Sequence, residues 1–192
     1  MFEIEFFRPS LKIPLSQTHF TEEEGVNAAG FTIHSALLKN RPDIQCTLHV
    51  HTKVGMAMSA HKHGLISMTQ GAMRFHNRLS YHDYEGISTD IAESDRLAAD
   101  LGRKNKAMIL RNHGVLTCGV SASEAITQMR YLLTACETQL MLEASGAEIV
   151  IPPETVCEHA ARQWDHHDAH GGKDDWSAYL RIADRIDPGF RE

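Results

Sequence analysis

His49 and His51 flank Val50 at the end of a run, Gln45 to His51, that has the composition of a β-strand. Side chains alternate along a strand, so both imidazoles leave one face while Leu48 and Val50 turn to the other. Two imidazoles fixed on one rigid face are most of a binding site for zinc or a similar divalent ion. The candidate third ligand is His113, in Arg111-Asn112-His113-Gly114 between two apolar runs. Gly114 is expected to supply the tight backbone that turns this imidazole toward a neighbouring strand. Three neutral imidazoles would leave a four-coordinate ion one open position, from which it could polarise a carbonyl or stabilise an enolate. The competing reading is structural, with one histidine of the pair hydrogen-bonded in the core and His113 in an ordinary turn.

These residues need elements to position them, and the chain supplies recognisable ones. Asn27 is placed to cap a helix over about Ala28 to Lys39, and Arg41-Pro42-Asp43 ends it before the histidine strand. Thr52 is placed to cap a short apolar helix reaching about Ala60. Leu65 to Met68 reads as a strand, and Arg78 to Tyr84 as another. Ser88 or Asp90 opens a helix that stops at Leu101-Gly102. Ala107 to Leu110, Asn112-His113-Gly114 and Val115 to Cys118 form a strand, turn and return strand. Ser121 and Glu124 have capping-box spacing, and the helix after them runs from about Ala122 to Ala144. Beyond Pro152-Pro153, helices are expected at Glu154–Asp165 and Asp175–Ile186. The alternating run Phe2 to Phe6 is broken by Pro9 and Pro14. Strands and helices mix without strict alternation, which predicts one α/β domain, a mixed sheet covered by helices on both faces.

Composition narrows the function classes. The chain has 192 residues, 42% hydrophobic and 23% charged, with a net charge of -6 and a pI of about 6.1. An acidic balance argues against nucleic acid or anionic membrane partners. No apolar run is long enough to cross a bilayer, and the acidic N-terminus is unlike a secretory leader, so a cytoplasmic location is expected. Cys46, Cys118, Cys136 and Cys157 are widely spaced; free thiols are expected, the first three buried.

Other residues invite chemistry and have blander explanations. Trp164 to His170 is rich in metal-capable side chains and is expected to be a flexible surface tract. His61 and His63 are expected to be solvated. Tyr81 to Tyr84 is either a pocket wall, a subunit contact or a strand end. Glu137 is expected to be a buried, paired structural carboxylate.

Several runs together resemble the class II aldolase/adducin family: Ala29 to Ser35, Arg41-Pro42-Asp43, Leu48 to Thr52, Tyr81 to Gly86, Leu110 to Gly114 and Ala135 to Gln139. That family includes fuculose-phosphate aldolase, ribulose-phosphate 4-epimerase and the adducin head domain. The resemblance covers about Asn27 to Pro153, with the tail resembling the bacterial adducin-like branch. It implies a three-layer αβα domain with a central mixed, largely antiparallel sheet. A single domain would then span residues 1–192, with an atypical segment over 1–26 and a helical tail over 154–192. It implies that His49, His51 and His113 bind Zn²⁺ or another divalent metal, and that the protein is a homo-oligomer, by resemblance a tetramer.

The chain also departs from the family pattern. The aldolases carry a glutamate, metal ligand and acid/base, where an ungapped match places Gly30. Their phosphate-binding hydroxyl residues fall on Ala28 and Ala29, and a tyrosine lent by a neighbouring subunit falls near Gln70. The region before Asn27 lacks the family's Gly/Asn-rich phosphate loop, so an N-terminally shortened member is expected; Glu22 to Glu24 lie in a charged loop. The expected activity is a metal-dependent, lyase-like reaction on a small carbonyl substrate, with no residue assigned as acid or base. The alternative is a non-catalytic adducin-like assembly or interaction protein.

Overall fold

The computed structural model describes residues 27–87, 92–168 and 173–191. Phe2 to Phe6, Glu22 to Glu24 and the helix start at Ser88 or Asp90 lie outside them. The first helix, α1 (Ala28–Asn40), begins as expected, with Asn27 accepting from the Gly30 amide. The histidine strand is β1 (Cys46–Val50), and Thr52 caps α2 (Lys53–Ser59) by accepting from Gly55 N. A short helix, α3 (Gln70–Met73), capped by Thr69, precedes β2 (Leu79–His82) and α4 (Glu93–Leu101). The hairpin is β3 (Ala107–Leu110) and β4 (Gly114–Gly119). Helices α5 (Ala122–Ser145), α6 (Glu154–Asp168) and α7 (Lys173–Ile186) follow, then a 3₁₀ turn at Pro188–Arg191.

Among the described residues the strands form one sheet in the order β1-β4-β3-β2. Strands β1 and β3 both run antiparallel to β4, while β2 runs parallel to β3. Two apolar clusters cover the two faces. Ile33, Leu37, Leu97 and Leu101 of α1 and α4 pack with Met108, Leu116 and Cys118. On the other face Met58, Met129, Leu132 and Cys136 of α2 and α5 pack with Ile109 and Val115, and Leu48 and Val50 lie against them. The result is the expected three-layer αβα domain, and the face of β1 opposite Leu48 and Val50 lies on the α1 side.

Some expectations fail for local reasons. Leu65 to Met68 is not a strand. Its backbone amides are taken by side chains instead, Leu65 N donating to Tyr81 Oη (3.0 Å) and Ile66 N to Gln139 Oε1 (2.7 Å). Ser121 caps α5 through Glu124 N, but Glu124 turns its carboxylate to Val120 N and the Lys106 ammonium. Glu137 is exposed on the outer side of α5. Cys118, Cys136 and Cys157 are buried free thiols and Cys46 only partly buried; burial pushes the Cys118 and Cys136 thiols up to about 12.

The described part of the tract from Trp164 is no loose tract either, because Trp164 to Asp168 complete α6. Asp168 accepts from the buried Arg74 guanidinium at 2.5 Å, and Trp164 Nε1 donates to Gln70 O. Arg74 also lies 4.7 Å from the Tyr131 ring and 4.9 Å from Trp164. Arg78 pairs with both Glu158 and Asp165. These ion pairs and ring contacts tie α6 to the body of the domain, with Arg74 Nη1 left without a hydrogen-bond partner.

Candidate metal centre

His49 leaves the end of β1, and His51 stands between that strand and the Thr52 cap of α2. The register explains how His113 joins them. Val50 pairs with Val115, so the next residues outward are His51 on one strand and Gly114 on the other. The turn before Gly114 is closed by His113 N donating to Leu110 O (3.1 Å). Asn112 takes the left-handed conformation there, with φ 56°, which asparagine tolerates better than most residues. Arg111 holds the same turn, donating to His61 O (2.7 Å) and lying 4.2 Å from the Tyr81 ring.

Gly114 therefore has a different role from the one expected. Its φ is not positive, and Asn112 makes the bend. What glycine supplies is room: a Cβ would lie 2.7 Å from Val50 O, 2.9 Å from His51 Cδ2 and 3.2 Å from His49 Cε1.

The three imidazoles converge. Ring centroids of His49 and His51 are 4.5 Å apart, and each lies 4.8 Å from His113. One nitrogen from each falls within 4.8 Å of the others. Tetrahedral coordination with Zn–N bonds of about 2.0–2.1 Å needs nitrogens roughly 3.4 Å apart, so small ring rotations would suffice. His49 Nδ1 lies 3.0 Å from Val115 O, which can only accept; the proton is on Nδ1 and the Nε2 lone pair faces the site. His49 and His51 Nε2 are 2.7 Å apart, a separation that demands a proton or a cation between them. Burial drives the His49 pKa down to about 3, helped by the charges of His113 and His51. Burial and then His51 also lower that of His113. A cluster that resists protonation while offering lone pairs to one point suits a cation.

The neighbouring residues sort differently. His61 turns away to Glu143, 3.2 Å from its carboxylate, and His63 is exposed. Tyr81 is a packing residue, whereas the exposed Tyr84 has its ring 6.4 Å from His113. His82 is buried, with Nδ1 2.7 Å from Asp100 and Nε2 3.4 Å from Glu93. A cavity of about 10 Å³ lined by His82, Tyr84, Glu93, Arg111 and His113 has room for about one water molecule. Neither Arg111 nor His34 carries a local signal that would single it out, since both act through contacts distant in the chain. Nδ1 of His34 lies 2.5 Å from Thr47 Oγ1, on the strand face that carries His49. At the half-buried Gly30 an added Cβ would meet the Asn27 side chain at ordinary contact distance, its Cγ at 3.7 Å being the nearest atom among the described residues.

Comparisons with known proteins agree with this architecture. Residues 11–140 match the model of the class II aldolase and adducin N-terminal domain, and the chain belongs to that family. A Pseudomonas aeruginosa protein with an aldolase class 2 name is 41% identical over 87% of this chain and 66% of its own length. Rat alpha-adducin is 45% identical over 64% of this chain and 16% of its own. Among solved structures, an aldolase II superfamily protein from Pseudomonas syringae superposes with a TM-score of 0.80 at 41% identity, over 87% of this chain and 67% of that one. L-fuculose 1-phosphate aldolase from Glaciozyma antarctica gives 0.70 at 29% identity, over 84% and 60%. The chain thus spans a little under two thirds of the bacterial relatives it matches, 66% and 65% of their lengths.

Proposed function

We propose that this chain is a divalent-cation-dependent, lyase-type domain acting on a small carbonyl substrate, with zinc the first candidate ion. The convergence of His49, His51 and His113 carries the reading. His49 would bind through Nε2, its Nδ1 proton being committed to Val115 O. When bound, the ion supplies Lewis-acid polarisation of a carbonyl oxygen. The chain's own residues do the rest. Asn112 and Arg111 fix the His113 turn, Gly114 lets the two strands close on the cluster, and α1 and Tyr84 border it. Ala28 and Ala29 offer no hydroxyl to a substrate phosphate, which favours a substrate held chiefly at its carbonyl end. In the cell the domain is proposed to work as a cytoplasmic homo-oligomer, a tetramer by family resemblance.

The test is metal analysis of untagged protein, with a panel of aldehydes and keto acids. About one Zn, Mn, Co or Fe per chain is expected in the wild type and its loss in His49→Ala/His51→Ala. A wild type without stoichiometric metal after loading would remove the reading. An adducin-like assembly role without turnover is the second reading, favoured by Gly30 in place of a carboxylate. It predicts a folded oligomer that turns over nothing in the panel.

A further inference from the structure

With a cation held by one nitrogen of each of its three rings, the cluster would have no group committed to moving a substrate proton. A fourth imidazole stands beside it. His34, on α1, is tied through Nδ1 to Thr47 Oγ1 at 2.5 Å. Thr47, His49 and His51 share one face of β1 by strand alternation. His34 itself makes no ring contact with the cluster. Thr47 and His49 are two residues apart on that face, about 6.6 Å of strand, so the residue that anchors His34 is the next one on the face that carries His49. Nε2 of His34 has no hydrogen-bond partner among the described residues, and the residue is partly exposed.

We propose that His34 is the catalytic base that exchanges the α-proton of the carbonyl substrate held at His49, His51 and His113. The inference rests on the cation-assisted carbonyl reading above. In the step, the α C–H bond breaks and its proton bonds to His34 Nε2. The electron pair of that bond moves onto the carbonyl oxygen. Neutral imidazole becomes imidazolium as neutral carbonyl becomes enolate, so charge balances without another reactant. The step requires the tautomer in which Nδ1 carries the proton and donates it to Thr47 Oγ1, and that bond holds the ring in place. The imidazolium exchanges with solvent and returns a proton to carbon.

Dihydroxyacetone in D₂O, followed by proton NMR with zinc- or manganese-loaded full-length protein, tests this. The wild type is expected to incorporate deuterium at carbon above the protein-free rate. His34→Gln should keep its metal and lose about 100-fold or more of the exchange rate. Thr47→Val, which keeps the base but frees its ring, should keep the metal and lose about tenfold. A role confined to tying α1 to β1 would lower stability in both variants while leaving exchange per folded, metal-loaded chain unchanged. Exchange in His34→Gln within about threefold of wild type would overturn the proposal, as would a metal-loaded wild type that exchanges nothing. If His34→Gln cannot be folded, a Thr47→Val variant with undiminished exchange overturns it. A wild type that binds no metal removes the underlying reading instead, and this inference with it.

Discussion

Gly114→Ala is the smallest change that should disable the cluster without touching a ligand. A Cβ at that position would sit 2.7 Å from Val50 O and 2.9 Å from His51 Cδ2. The first neighbour is backbone in the β1–β4 ladder, where Val50 pairs with Val115, so it cannot rotate away. The strands must part at this end by several tenths of an ångström, and the histidines must follow. Overpacking of this kind costs about 1–3 kcal/mol. At about 2–4 °C per kcal/mol for a chain of this size, the metal-free melting temperature should fall by roughly 2–12 °C. Displacing ligands through their supporting shell costs about 10–100-fold in metal affinity. The two effects separate in two assays: urea unfolding in chelator reads the strain, and competition with a chromophoric zinc chelator reads the affinity. Gly71→Ala is the control, because its added Cβ would meet only Tyr131 Cδ1 at 3.6 Å. In α3 it should be neutral or stabilising by about 0.5–1 kcal/mol. Native stability together with native zinc affinity in Gly114→Ala would refute the close approach of β4 to the histidines.

Two further outcomes follow from the same geometry. The His49 pKa is about 3 in the folded state against 6.5 as its ordinary value, and those of His34 and His113 are lowered in the same direction. Between pH 6.5 and 3 the unfolded chain therefore takes up protons that the folded chain refuses, so stability is full above that window and is lost as pH falls through it. Each group adds a slope of at most about 1.4 kcal/mol per pH unit, reduced by its partial exposure. Urea midpoints in chelator should fall between pH 7 and pH 5, less steeply in His49→Ala, and a rising midpoint would contradict the burial of these rings. Gly30→Glu should fold normally, since a Cβ there meets nothing closer than 3.7 Å, and gain about 0.3–1 kcal/mol from an acid in the first turn of α1. Gly30 lies one turn before His34 on α1, the helix that meets β1 at Thr47. Zinc affinity should rise about tenfold or more, and an unchanged affinity would place Gly30 away from the cluster.

What the sequence disclosed and what it hid divide along physical lines. The caps Asn27, Thr52 and Ser121 act within three residues of themselves, and strand alternation at His49 and His51 acts within two, so both were legible. His113 was legible because the hairpin that carries it is local. Leu65 to Met68 has strand composition but finds its partners in the Tyr81 hydroxyl and the Gln139 amide, contacts no local pattern encodes. Glu137 shares its helix with Cys136 and Gln139 but falls on the outer face, a matter of which side of α5 the sheet covers. The pairing of α6 with Arg74 and Arg78 likewise joins residues far apart in the chain.

Gly114 shows how a right residue can be chosen for the wrong reason. From sequence, glycine after an asparagine-histidine pair reads as a turn requirement. In the fold Asn112 meets that requirement alone, with φ 56°. The demand on Gly114 comes from Val50 and His51, which lie across a strand pairing from it. The same pairing that excludes a Cβ is what brings His113 within reach of the pair on β1. The convergence of the three imidazoles and the glycine are therefore one constraint, the closeness of two strand ends. His34 escapes that constraint, because α1 reaches the site through Thr47 rather than through the ladder. A site built this way places its three converging imidazoles through the sheet and a fourth, His34, through the helix.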